Sequence, residues 1–181
     1  MRFIFGGAMA RWLIGLLLVS GSSFASQGLY SLLSTGNYPM PAEMMQQLEQ
    51  QHEGVISEFE ADIENGELIY EFKMIDPQAK TITEYEYRAI DGSLKEREVS
   101  RLKNDDKDEL SGVLMLQQNG HSLSEMLTLV NQESSGYIVK AEVDNDLGIS
   151  YIELEILDID GKRQLAFDIE NKQLLPLLKW D

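Results

Sequence analysis

The chain matches itself when slid by 82 residues, and this repeat constrains the fold more than any single motif does. Over residues 40–76 against 122–158, ten of 37 aligned pairs are identical: Glu43/Glu125, Met44/Met126, Gln50/Gln132, Gly54/Gly136, Ile56/Ile138, Glu60/Glu142, Asp62/Asp144, Gly66/Gly148, Glu71/Glu153 and Asp76/Asp158. Average residue usage would give about two or three matches. Upstream, Leu32 and Asn37 meet Leu114 and Asn119; after Asp76 the first copy carries two extra residues and the offset becomes 80. One supersecondary unit is therefore expected to occur twice.

Each copy reads as a helix followed by antiparallel strands. Pro41 suits the first turn of a helix, Glu43 places a negative charge near its N-terminus, and Ser122 with Glu125 forms a capping-box pattern. Met44, Met45 and Leu48, like Leu123, Met126, Leu127 and Val130, recur at helical spacing. Gly54 and Gly136 stand where a glycine after a helix is expected. The period then shortens to two. Phe59, Ala61 and Ile63 alternate with Glu58, Glu60 and Asp62, and Val139, Ala141 and Val143 alternate with Lys140, Glu142 and Asp144. Asn65-Gly66 is a hairpin signal. Leu68, Tyr70, Phe72 and Met74, matched by Ile152, Leu154 and Ile156, give a second strand. Tyr85 and Tyr87, and Leu165, Phe167 and Ile169, give a third, with turns at Asp91-Gly92 and Asp160-Gly161.

The expected fold class is α+β: two tandem modules, each one helix packed on a small antiparallel sheet of three to four strands, with the acidic positions on the other face or at its edges. Residues 26–98 form the first module, the charged stretch 99–108 the linker, and 109–181 the second module.

This order of features resembles the PepSY domain. The second copy shows Gly136, Gly148, Tyr151, Asp160-Gly161 and Asp168, with Leu174-Leu175 following; the first shows Gly54, Gly66, Tyr70 and Asp91-Gly92. The terminal Asp-x-x-x-Gly pattern is split between them. The first copy has Arg88 with Gly92, and the second has Asp168 with Lys172. The resemblance implies an exported, non-catalytic module that binds or restrains a peptidase, and it carries over no specific functional residue.

The N-terminus points to export as well. Arg2 and Arg11 bracket a basic region, residues 12–19 are an apolar core, and Ser23-Phe24-Ala25 offers small residues for cleavage, so residues 1–25 are expected to be a signal peptide. An uncleaved anchor is the other reading of that pattern, although the run falls short of the about 20 apolar residues of a membrane span. With no cysteine in the chain, a lipid-modified cysteine and disulfides are both ruled out. The chain carries 15 basic and 31 acidic side chains; removal of Arg2 and Arg11 leaves 13 against 31, a net charge of −18. Such a field disfavours nucleic acid and anionic lipid surfaces, so no nucleic acid and no membrane contact after cleavage are expected.

Candidate chemistry is sparse. Without Cys there is no thiol nucleophile, and His52 and His121 occupy different ends of the repeated helix, suited to structural roles. No His-Glu-x-x-His, phosphate-binding glycine loop or Cys/His metal spacing occurs. Glu142, Asp144, Asp146 and Glu153, repeated as Glu60, Asp62, Glu64 and Glu71, fall on calcium-loop spacing. The sixth position, which needs glycine, holds Leu147 and Asn65. Strand alternation across a hairpin gives the same spacing without an ion. Met40, Met44, Met45 and Met126 read as core, with a pliable binding surface as the other use. Trp180, at the C-terminus, could anchor a partner or pack back on the sheet. No catalytic, metal or cofactor-binding residue is assigned, and no cofactor is expected. The leading expectation is a protein-binding module whose partner is another envelope protein such as a peptidase, with an exposed sheet edge as the route of contact. A small-ligand or cation sensor built on the acidic hairpins is the alternative.

Overall fold

The computed structural model describes residues 22–146 and 148–175. The apolar core of the expected signal peptide and Trp180 lie outside the described residues. The elements are α1 (Ser22–Thr35), α2 (Pro41–Gln51), β1 (Val55–Glu64), β2 (Glu67–Asp76), β3 (Thr81–Arg88) and β4 (Ser93–Arg101), then a 3-10 turn (Asn104–Asp106). They continue with α3 (Lys107–Gln118), α4 (Leu123–Glu133), β5 (Tyr137–Asp146), β6 (Ile149–Asp158), β7 (Gly161–Asp168) and β8 (Gln173–Leu175).

The expectation of two tandem modules, each one helix on a three- to four-stranded sheet, is wrong. The strands form a single eight-stranded antiparallel sheet in the order β4-β3-β2-β1-β5-β6-β7-β8, and four helices accompany it among the described residues. The physical reason is edge closure. β1 and β5 would each be the open edge of a four-stranded unit, and at their middles each pairs its free backbone groups with the other. They pair antiparallel through Glu58↔Glu142, Phe59↔Ala141 and Glu60↔Lys140. Phe59 and Ala141 are mates under the 82-residue offset, so a local two-fold axis passes between them and the join is self-complementary, as in an isologous interface.

The repeat is preserved in register. Ile56↔Met74 and Ile138↔Ile156 flank equivalent irregularities in β1 and β5. The two extra residues of the first copy lie between β2 and β3, where Asp76 pairs with Thr81; in the second copy Asp158 pairs with Gly161. Asn65 (φ 50°) and Gly66 (φ 87°) make the tight turn closing Glu64↔Glu67. Gly54 and Gly136 do not cap the helices, which end at His52 and Ser134. They sit at φ 125° and 115° on the way into β1 and β5, where an added Cβ would lie 2.8 Å from the Ile75 carbonyl oxygen or 2.9 Å from that of Leu157.

α2 begins with Pro41 in its first turn and buries Met44, Met45 and Leu48. α4 has the full capping box: Ser122 Oγ accepts from the Glu125 amide, and the Glu125 carboxylate accepts from the Ser122 amide. The two helices pack on each other and on β1, joined by a hydrogen bond from Ser124 Oγ to Glu49. α1 packs on β6 and β7, and α3 on β5 with contacts to β1 and β6. Residues 99–108, expected as the linker, hold the end of β4, the 3-10 turn and the start of α3. The core unites both halves: Phe59, Tyr70, Phe72 and Met45 are buried in one cluster with Leu116, Met126, Ile152 and Phe167. No described helix is long and apolar enough to cross a membrane.

Candidate binding edge

Strand pairing arranges the acidic positions into two rows on the sheet face opposite Phe59. One row runs Glu96, Glu86, Glu71, Glu60, Lys140, Glu155 and Gln164 across β4, β3, β2, β1, β5, β6 and β7. The next runs Glu98, Glu84, Lys73, Glu58, Glu142, Glu153 and Ala166. Directly opposed like charges repel, and partial burial adds to the cost. Burial first, and then neighbouring carboxylates, pushes Glu71 up to about 7, with Glu86 the largest of these contributors and Glu60 the next. Burial likewise raises Glu58, Glu60, Glu84 and Glu153. Cations punctuate the rows. Lys140 Nζ lies 3.3 Å from Glu58 and 3.2 Å from Glu142, and Lys73 Nζ lies 2.6 Å from Glu109 of α3. Lys95, at the irregular point of β4, binds Glu64 and Glu86.

The hairpin carboxylates on calcium-loop spacing are spread along this face, and Asp62, Glu64, Glu142 and Asp144 are engaged locally. Asp62 accepts from the Ile63 amide; Asp144 accepts from the Asn145 amide and, at 3.1 Å, from the Tyr151 hydroxyl. Glu64 and Glu142 are ion-paired. Among the described residues, no three His, Cys, Asp or Glu side chains are arranged to hold a metal ion. Leu147 lies outside the described residues. The histidines are not brought together: His121 Nδ1 is 3.4 Å from Glu125 at the start of α4, whereas His52 packs against Tyr85 with the rings tilted by 34° and their centroids 5.3 Å apart. Met44, Met45 and Met126 are core, while Met40 is 55% exposed.

The two sheet edges differ. Among the described residues β8 spans only Gln173–Leu175, whereas β4 is nine residues long and exposed along nearly its whole length. β4 hydrogen-bonds as a strand only to β3 among the described residues, so its outer amides and carbonyls are unpaired. Beside it, on the face that carries Phe59, is a cavity of about 200 Å³ lined by His52, Thr81, Thr83, Tyr85, Arg97 and Val99, with Met74 and two carboxylates completing its wall. The Arg97 guanidinium lies 5.7 Å over the Tyr85 ring. Of the carboxylates, Asp76 is occupied by the Gln78 and Ala79 amides, and Glu53 is exposed. Neither Arg97 nor Arg101 has a carboxylate within 4.0 Å among the described residues.

Sequence reasoning named the edge as a route but not this corner. The available signal was a local concentration of cations: in so acidic a chain, Lys95, Arg97, Arg101, Lys103 and Lys107 fall within 13 residues, interspersed with four carboxylates.

No family model and no curated protein matches the chain. It is similar to a crystal structure described as a "putative lipoprotein" from Clostridium difficile 630, at 11% identity and a TM-score of 0.46, over 80% of this chain and 95% of that one.

Proposed function

We propose that the chain is a non-catalytic protein-binding module that receives an extended segment of its partner along β4. The observation that carries this reading is the long unpaired edge of β4 with a side-chain groove beside it. Main-chain hydrogen bonds to such an edge supply affinity, and a groove selects alternate side chains. The N-terminal pattern supports an extracytoplasmic site of action, and the resemblance to PepSY supports a peptidase as the partner class. The cation-sensor alternative has less to stand on, because its carboxylates lie in extended rows and half of them are engaged locally.

The test is amide hydrogen exchange on the purified protein during selection against a library of random extended heptapeptides. Bound peptides are expected to slow the amides of β4 and leave those of β8 unchanged. Peptides that bind without slowing β4, or a library that yields no binder, would refute the edge reading. Extracytoplasmic metallopeptidases titrated with the protein should lose activity, and unchanged activity would remove the peptidase as partner.

A further inference from the structure

We infer that the segment received at β4 is a charge-alternating strand, acidic on the groove side and basic on the other, and that it is not a second copy of this chain. The inference rests on the edge reading above and specifies its partner. Register assigns the side chains of β4 to two faces. Arg97, Val99 and Arg101 lie opposite Tyr85, Thr83 and Thr81 on the groove side, and Glu96, Glu98 and Ser100 lie opposite Glu86, Glu84 and Ile82 on the acidic side. A strand added alongside places its own side chains directly beside these, alternating between faces. Carboxylates two residues before and after the position beside Val99 would meet two guanidinium groups that have no ion partner among the described residues. Of the two intervening positions, one would meet Glu98 and the row of carboxylates behind it, which favours lysine or arginine, and the other would meet Ser100.

A second copy fails the same requirement. Two β4 strands related by a two-fold axis pair residue k with itself, and the neighbours follow symmetrically. Axes at residues 95, 96, 97 and 98 place Lys95, Glu96, Arg97 and Glu98 against their own copies, and an axis at residue 99 places Arg97 against Arg101. Each of these central registers opposes like charges, which is how exposed edges are kept from self-pairing.

The probe is a pair of fluorescent heptapeptides of identical composition and zero net charge, Thr-Glu-Lys-Ile-Lys-Glu-Thr and Thr-Lys-Glu-Ile-Glu-Lys-Thr. Each reads the same in both directions, so parallel and antiparallel addition are tested together. At low salt the first is expected to bind about tenfold more tightly than the second, the difference made by several cross-strand charge pairs. In a variant with Arg97→Glu and Arg101→Glu, both exposed, the preference should reverse. Equal affinities, with β4 amides slowed by both peptides, would overturn the charge inference and leave the edge reading standing. Tighter binding of the second peptide would also overturn it. If neither slows the β4 amides at millimolar concentration, the edge reading falls and takes this inference with it.

Discussion

Replacing Glu71 by glutamine should stabilise the protein at alkaline pH and do almost nothing in acid. Glu71 lies in β2 with Glu60 directly opposite on one side and Glu86 on the other, so its charge meets a like charge across each neighbouring strand. Burial and these neighbours raise it from the ordinary 4.5 to about 7. At about 1.4 kcal/mol for each tenfold change in proton affinity, that difference corresponds to about 3 kcal/mol, and solvent access trims it to about 2. The folded state holds the Glu71 proton more tightly than the unfolded chain does. Stability is therefore lost as pH rises from about 4.5 to about 7, and below that window the two states are protonated alike. Urea unfolding of both proteins at pH 4 and pH 8 gives the answer. The Glu71→Gln variant should match the parent at pH 4 and exceed it by about 2 kcal/mol at pH 8. A gap that does not change with pH, or a parent that is the more stable at pH 8, would refute the reasoning.

Other expectations follow from the same contacts. Ser122→Ala removes the hydroxyl of the α4 capping box and should cost about 1 kcal/mol in chemical denaturation, with Ser122→Gly costing less. Lys73→Met leaves the Glu109 carboxylate buried without its cation and should cost about 3 kcal/mol; adding Glu109→Gln should recover most of it, and a double variant no better than the single would contradict the pairing. Gly54→Ala forces a Cβ to within 2.8 Å of the Ile75 carbonyl at φ 125° and should lower stability by about 2 kcal/mol, which a thermal melt would register.

What the sequence disclosed and what it withheld have physical causes. The strands of both copies were legible because one face is buried, so Phe59, Ala61 and Ile63, or Val139, Ala141 and Val143, must alternate with polar residues. α2 and α4 were legible for the corresponding reason at helical period. α1 was hidden because Ser22–Thr35 begins inside the segment that reads as a signal peptide and is rich in serine, which favours caps and turns over helix interiors. α3 was hidden because Lys107–Gln118 starts in a charged stretch. The match of Leu32 and Asn37 with Leu114 and Asn119 was the surviving trace of this second pair of helices. The binding corner was obscured because tyrosine and threonine at alternate strand positions announce only a strand. Its groove arises from His52 at the end of α2, which no local pattern carries to Tyr85.

The join between the halves was invisible because it depends on one number that the repeat does not contain, the sum of paired positions. A symmetric antiparallel join requires that sum to be even, since an odd sum would place a residue beside one facing the other way. The observed sum is 200, which sets Phe59 beside its own mate and brings the acidic positions on either side into opposition. Had the copies stayed identical, glutamates at 58 and 140 would face glutamates at 142 and 60. The second copy carries Lys140 where the first carries Glu58, and that lysine bridges Glu58 and Glu142 across the join. Lys140→Glu should therefore damage the protein more than Lys140→Met, which itself removes the ion partner of the buried Glu58 at a cost of about 2 kcal/mol. Burial and Glu142 already hold the Glu58 proton tightly, so in both variants the loss should shrink as pH falls and these carboxylates are neutralised. Denaturation at pH 8 and pH 4 separates the cases. If Lys140→Glu is as stable as the parent at pH 8, the join is held by its backbone pairing and by the core around Phe59, and the lysine is incidental to it.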